Sequence, residues 1–391
     1  MLILRICALF RARIGMLDWS AMTRLAACLV LLLTQALAFS QSLPDTSQDT
    51  FQDVHRIVAM GDVHGDYQRF LELLRTANLV DAKNAWSGGD THLVLTGDFV
   101  DRGDHSAQVL DLLMELEPQA RKAGGRLHAL IGNHEAMDLY GDLRYVTKDD
   151  FAGFQAPNSK ELRDRRMRSD LDDLKRQGTP PADENAWRKK FEDEHPLGWV
   201  EQRQAFQPGG KYGKWLRQRN TIVKINDAIF VHGGISQKYS ALSRSEINNK
   251  VREELSDFTK LAKGMVTDEE GPLWYRGLAQ LPEDDKGMAE LLPRVLAMHQ
   301  VRHIVIGHTP QLAVMPRFGG KVIAIDVGLS KPFDGPPAFL LIEDGKYFAI
   351  HRSRRLELPL EGGNVPQYLR SAAALEPDNS RLRRSVQKGR P

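Results

Sequence analysis

The sequence predicts an α/β fold whose strands deliver polar loops from their carboxyl ends. Short apolar runs at 57–60, 93–95 and 127–131 are each followed by a loop of Asp, His, Asn and Gly, and then by residues with helical spacing. Strand, loop and helix in regular alternation imply a sheet with helices packed on it and a site along one sheet edge. Farther along, Asn226-Asp227 and Asp344-Gly345 each sit between two apolar runs, which adds antiparallel hairpins.

Taken in order, residues 39–54 are polar, with Ser, Gln, Asp and Pro44 among them, and read as an exposed linker before a catalytic domain spanning 55–352. Helical spacing through Phe70, Leu71, Leu73 and Leu74 predicts a first helix, and 109–116 a second. Residues 142–207 are dense in Arg, Lys, Asp and Glu with few long apolar runs. They read as a helical insertion over the site, either a substrate-selecting lid or a solvated hairpin without a chemical role. Runs at 222–225 and 229–231 form one hairpin, 304–306 a strand after a helix at 288–299, and 321–325 with the hairpin 339–351 a second layer. The tail, 363–391, is polar, ends in Arg381, Arg383, Arg384, Lys388 and Arg390, and is expected to be disordered.

With 391 residues and 42% hydrophobic content, the chain can bury one large core or two smaller ones. Its formal net charge of +2 gives no support to a nucleic-acid or membrane-surface partner. Arg24, the apolar run 25–37 and the closing Ala36-Leu37-Ala38 read as a signal peptide, residues 1–38, cleaved after Ala38. That destination is the periplasm or the exterior, with no stable membrane insertion after cleavage; an uncleaved anchor is the alternative, although the run is short for a span. Both cysteines, Cys7 and Cys28, lie inside this segment, so the processed chain has neither disulfides nor thiol catalysis. Nothing in the sequence sets an oligomeric state.

The polar loops carry metal-type ligands: Asp62 and His64 in GDVHGD, Asp98 in GDFVDRG, Asn133 and His134 in GNHE, His232 in VHGG and His308 in IGHT. A lone His after a strand is ordinarily a packed core residue. The complete order, each ligand after its own strand, points to two divalent metals and phosphate-ester chemistry. A two-metal hydrolase needs one carboxylate shared by both ions, and Asp98 is the natural bridge. Asp62 and His64 then complete the first metal, Asn133 and His232 surround the second, and His308 belongs to one or the other. Oxygen and imidazole ligands suit Mn, Fe or Zn better than Ca, with manganese the first choice. A water acidified by both ions attacks phosphorus in line, without a covalent phospho-enzyme. Arg102 can clamp the phosphoryl oxygens, and His134, held by Asp101, can protonate the leaving group.

The motifs GDVHG, GDFVDRG, GNHE and VHGG closely resemble the phosphoprotein phosphatase branch of the calcineurin-like metallophosphoesterases over roughly 55–352. The resemblance implies a central β-sandwich flanked by helices. It implies two metals at Asp62, His64, Asp98, Asn133, His232 and His308, phosphate contacts from Arg102 and Asn133, and an acid dyad of His134 and Asp101. Asp66 where Gln is usual, the long insertion after GNHE and the lack of a SAPNY-like segment set the chain apart from the eukaryotic serine/threonine enzymes. The segment GPLWYRG at 271–277 and Asp326-Val327-Gly328 are instead similar to the Shewanella-like phosphatases. Arg276 is then a candidate second phosphate-binding arginine, with a surface salt bridge as the alternative. The expected activity is hydrolysis of phosphotyrosine and/or phosphoserine/threonine in phosphoproteins by a metal-bridging hydroxide. A broad envelope phosphoesterase, a dinucleoside polyphosphate hydrolase and an inactive phospho-binding module are the alternatives.

Overall fold

The structure is a computed structural model that describes residues 48–389; the expected signal peptide, both cysteines and residues 39–47 of the expected linker lie outside the described residues. Twelve strands in this span form two six-stranded mixed sheets. The first sheet contains β1 (Thr50–Phe51), β5 (Ile222–Ile225), β6 (Ala228–Val231), β7 (His303–Ile306), β8 (Met315–Arg317) and β9 (Val322–Ala324), in the spatial order β1-β5-β6-β7-β9-β8. The second contains β2 (Arg56–Met60), β3 (His92–Leu95), β4 (Arg126–Ala129), β10 (Ala338–Glu343), β11 (Lys346–His351) and β12 (Arg354–Glu357), ordered β12-β11-β10-β2-β3-β4.

Parallel pairing is what gathers the site. β2, β3 and β4 run parallel in register, Met60 beside Leu95 and Leu95 beside Ala129. In the other sheet β6, β7 and β9 are parallel, Val231 beside Ile306 and Ile306 beside Ala324. Each group therefore ends at a common level, and the loops that follow emerge together. The strands β3, β5, β6 and β7 are buried along their whole length, so they read as continuous Val, Ile and Leu runs rather than alternating ones. Both sheets contribute to one core, with Phe70, Phe99, Phe230 and Phe339 among its largest fully buried side chains. The hairpin turns sit where expected, with Asn226, Asp344 and Gly345 at positive φ, the backbone that tight two-residue turns require.

The helix Tyr67–Thr76 buries Phe70, Leu71, Leu73 and Leu74 and is capped by Asp66, whose side chain accepts the Arg69 N–H. The insertion forms four helices, Lys148–Ala152, Ser159–Arg176, Glu184–Glu194 and Trp199–Phe206. Few residues anchor it, among them Phe151, Met167, Leu171, Phe191 and Phe206. Its charges pair along the helix surface, as in Lys160–Asp164 at 2.7 Å and Arg166–Asp170 at 2.8 Å, contacts worth only about 0.3–0.5 kcal/mol each.

Two boundaries differ from expectation. Residues 50–51, inside the expected linker, add a strand beside β5, and the Phe51 ring meets His128 at 4.8 Å. Residues 363–389 of the tail are ordered: they form helices Val365–Ala374 and Arg381–Gln387. Its polar average hides an apolar stripe at Tyr368, Leu369, Ala372 and Ala373, one face of a helix, which is buried together with Leu382. Glu376 locks the tail down, accepting from His351 Nε2 at 2.7 Å and from Arg352 Nε and Nη2 at 2.7 and 3.0 Å.

Candidate metal centre

The loops after β2, β3, β4, β6 and β7 bring Asp62, His64, Asp98, Asn133, His134, His232 and His308 together, all of them buried. Ligand atoms of His64, Asp98 and His134 lie within 4.8 Å of one another, as do those of Asp98, His232 and His308. Asp98 is common to both groups. Close backbone approach makes this convergence possible: at Gly97, with φ of 109°, a Cβ would lie 2.7 Å from Gly132 and 2.8 Å from His232 Nδ1.

Hydrogen bonds aim each ring. His232 Nδ1 donates to the Thr96 carbonyl at 2.9 Å and His64 Nδ1 to that of Val100 at 3.2 Å, which leaves both Nε2 lone pairs facing the site. His308 is turned the other way, its Nε2 donating to the Trp274 carbonyl at 3.1 Å, so Nδ1 is its free ligand atom. The Asp62 carboxylate accepts the His308 N–H at 3.0 Å and ties the two loops together. His232 Nε2 stands 3.0 Å from Asn133 Oδ1 and 3.2 Å from Asp98 Oδ2. Three lone pairs pointed at one small space repel unless a cation lies among them, so these residues fit a metal ion.

His134 is different in kind. Its Nδ1 is 2.7 Å from Asp101 Oδ2, while its Nε2 is 3.4 Å from the Arg102 Nε. Burial would lower its pKa, but Asp98 and Asp101 outweigh burial and hold it above the ordinary value. Arg102 Nε donates to His134 Nε2, so the guanidinium competes with a metal ion for that lone pair. Arg102 lies between two aromatic rings, 4.3 Å from the centroid of Tyr145 and 5.5 Å from that of Phe333. Arg276 is half-buried on the far loop and donates from Nη1 to the His308 carbonyl at 2.9 Å and to Thr309 Oγ1 at 3.1 Å. It braces the His308 loop from there.

Sequence reasoning missed several members of this site. Glu135 is fully buried, and its carboxylate accepts the backbone N–H groups of Asp98, Phe99, Val100 and Gly132 at 2.8, 2.9, 3.3 and 2.8 Å. Asp326 is buried beside Asp62, with one carboxylate oxygen accepting the Gly328 N–H at 2.8 Å. Burial and Asp98 raise its pKa to about 6 against the pull of that amide. Tyr145 and Phe333 gave no periodic or motif signal. Glu135 stood in plain view inside GNHE, but three of its four partners are amides on another loop.

Known proteins are similar to this chain in sequence and fold. The family model of the calcineurin-like phosphoesterases matches residues 55–312. The chain belongs to that family. It is 32% identical over 305 residues to Shewanella-like protein phosphatase 2 of Arabidopsis thaliana, covering 75% of this chain and 77% of the relative. Shewanella-like protein phosphatase 1 of Plasmodium berghei is 27% identical over 308 residues, covering 75% and 74%. Among solved structures, the cold-active protein-tyrosine phosphatase of a psychrophile Shewanella sp. superposes with a TM-score of 0.61 at 30% identity, covering 81% of this chain and 87% of that one. Within the calcineurin-like phosphoesterases the chain therefore falls among the Shewanella-like protein phosphatases.

Proposed function

We propose that the protein is a metal-dependent protein phosphatase that hydrolyses phosphomonoesters in phosphoproteins. The observation that carries this reading is the convergence of His64, His232 and His308 on Asp98, with Arg102 and the Asp101-held His134 beside them. Asp62, His64 and Asp98 would hold one divalent ion, and Asp98, Asn133, His232 and His308 the other. When bound, such ions polarise the phosphoryl oxygens and acidify the attacking water. Manganese is our first choice, with iron or zinc as candidates, because oxygen and imidazole donors accept all three.

The chain's own residues do the rest. The Arg102 fork binds the phosphoryl oxygens that keep their negative charge, and Asn133 lies beside them at the helix N-terminus Asn133–Tyr140. Arg276 steadies His308 and adds positive charge at that rim. As the ester P–O bond breaks and the water oxygen bonds to phosphorus, the proton on His134 Nε2 passes to the departing oxygen. The short bond to Asp101 keeps the other ring nitrogen protonated and the imidazole in place. A signal peptide would send the protein to the periplasm or the exterior; among the described residues no helix is long and apolar enough to cross a membrane.

The test is hydrolysis of matched phosphotyrosine and phosphothreonine peptides after metal stripping, with and without added Mn. Turnover of either peptide that returns only with metal is the expected result. No turnover of either with two metals bound would refute it, and turnover of a dinucleoside polyphosphate alone would move the substrate to nucleotides.

A further inference from the structure

The insertion carries a groove that the phosphate chemistry does not use. Its helices Ser159–Arg176 and Trp199–Phe206 pack together and leave between them a cavity of about 510 Å³. Leu162 and Val200 give it apolar walls and Trp199 an aromatic one, while Arg165, Arg166 and Arg203 bring three guanidinium groups to it. No Asp or Glu lines the cavity, although acids and bases are interspersed along 159–176.

The three arginines are committed to different degrees. Arg165 pairs with Glu161 at 3.1 Å and Arg166 with Asp170 at 2.8 Å, each one helical turn away, and both arginines are exposed. Exposed pairs of this kind hold their partners weakly and leave the charge available. Arg203 is half-buried and forms no ion pair among the described residues; its Nη1 donates to the Asp138 carbonyl at 2.5 Å. The carboxyl that favours its charge is that of Asp138, but burial and Asp101 raise the pKa of Asp138 well above the ordinary value, so it offers little negative charge. Burial and then Arg203 lower the pKa of Arg217, which marks a second cation close by. A half-buried guanidinium beside another cation, facing a cavity without an acid, is complementary to an anion.

Position ties this groove to the metal centre. The Asp138 carbonyl lies on the helix Asn133–Tyr140, five residues and roughly 8 Å of rise beyond the ligand Asn133. The Arg203 guanidinium also stands over Gly141, 3.1 Å from where a Cβ would be. From Gly141 the chain runs through the exposed Arg144 to Tyr145, whose ring is 5.0 Å from that of His134. Those four steps span at most about 14 Å. At about 3.4 Å per residue, an extended peptide with its phosphoryl group on Arg102 reaches Arg203 with a residue roughly three to six places away.

We infer that the groove is a docking site for an acidic segment of the phosphoprotein substrate, in which Asp or Glu flanks an apolar side chain a few residues from the phosphorylated one. The acids meet Arg165, Arg166 and Arg203, and the apolar side chain lies against Leu162, Trp199 and Val200. This rests on the phosphatase reading above and gives the insertion a part in choosing substrates.

The test compares phosphopeptides of one sequence that carry Glu-Leu-Glu about four residues before or after the phosphorylated residue with counterparts carrying Ala-Leu-Ala, alongside phenyl phosphate, which is too small to reach the groove. With the full chain and metals bound, kcat/KM should be about five- to tenfold higher for the Glu-Leu-Glu peptide on one side, and the advantage should shrink in about 0.5 M salt. The double variant Arg165→Gln, Arg166→Gln and the single variant Arg203→Gln should each lose most of it through KM, with phenyl phosphate turnover unchanged in the double variant. Because Arg203 holds a carbonyl of the helix bearing Asn133, the exposed double variant decides the matter if Arg203→Gln does not fold. Equal kcat/KM for the Glu and Ala peptides in the wild type would overturn the inference. So would the full advantage surviving in the double variant, or an equal fall on phenyl phosphate, which would mean the arginines only hold the insertion in shape. Fluorescence anisotropy with the unphosphorylated peptides reads docking without turnover: Glu-Leu-Glu should bind more tightly than Ala-Leu-Ala, and equal binding would overturn the inference. If that difference in binding is present while no phosphoester is hydrolysed with two metals bound, docking stands and the phosphatase reading falls.

Discussion

Replacing Glu135 by Gln isolates what holds the Asp98 loop in place. Its carboxylate is fully buried and faces four backbone N–H donors, Asp98 and Gly132 on one oxygen, Phe99 and Val100 on the other. Glutamine has nearly the same shape but only one acceptor oxygen. Its amide would keep that oxygen on the shorter pair, at 2.8 Å each, and turn its NH2 against Phe99 and Val100. Two buried donors then lose their acceptor, at about 1–3 kcal/mol apiece. The Val100 contact is already long at 3.3 Å, so the lower half of the range applies and the sum is roughly 2–4 kcal/mol. Because this loop presents Asp98, Asp101 and Arg102, metal affinity should fall with stability. Urea unfolding of metal-free protein gives the first quantity and titration with Mn the second. A loss under about 0.5 kcal/mol, the scale of an ordinary surface substitution, together with unchanged metal binding, would refute the cage.

Other perturbations read separate parts of the molecule. Burial raises the Glu376 pKa, but the bonds from His351 and Arg352 outweigh it and bring the carboxyl down to about 2; a depressed folded pKa stabilises above the unfolded value and is lost as pH falls through the folded one. Glu376→Gln should therefore lower the Tm near pH 7 and free the C-terminal helices to proteolysis, with the gap to wild type closing between about pH 4.5 and pH 2. His134→Asn should retain both metals by elemental analysis while slowing turnover by about 10²–10⁴-fold, and least for substrates with acidic leaving groups. Asp66→Ala removes a helix cap and the acceptor of the Lys331 N–H, so it should cost about 1–2 kcal/mol in thermal unfolding and quicken cleavage of the loop holding Phe333.

What could be read from the sequence was whatever a residue type declares on its own. Asp, His and Asn after an apolar run declare ligands, and Asn226-Asp227 or Asp344-Gly345 declare turns, because their chemistry and conformational range are local properties. The tail could not be read that way. Its apolar stripe at Tyr368, Leu369, Ala372 and Ala373 is short and diluted by charge, and it becomes a docking face only because Val314 offers its carbonyl to the Tyr368 hydroxyl at 2.7 Å. Thr50 and Phe51 were hidden for the same reason, since a two-residue strand exists only through its partner. Asp326, Tyr145 and Phe333 owe their places to contacts with Asp62, Arg102 and the site histidines. For Tyr145 and Phe333 nothing within a few residues announces it, and the Asp326-Val327-Gly328 segment marked the family without marking the carboxylate as part of the site.

The backbone of the site shows why such remote contacts are required. His64, Asp98, Asp101, Arg102 and His308 all have left-handed backbone, with φ between 49° and 68°. Each L-residue held there costs about 1–2 kcal/mol, somewhat less for Asp, which visits that region more readily. Together the five positions hold strain on the order of 5 kcal/mol or more, comparable with the whole stability of a small domain. That strain turns ligands on successive loops toward one point, and it persists only where the surroundings over-determine it. The four amides on Glu135, the His308 N–H on Asp62 and the Asp101 N–H on Ser106 Oγ at 3.0 Å are those surroundings. Apart from Asp62, which does both, the residues that carry the chemistry and those that offset its strain are thus different sets. Motifs advertise the first, whereas the second is visible only once the loops are folded against one another.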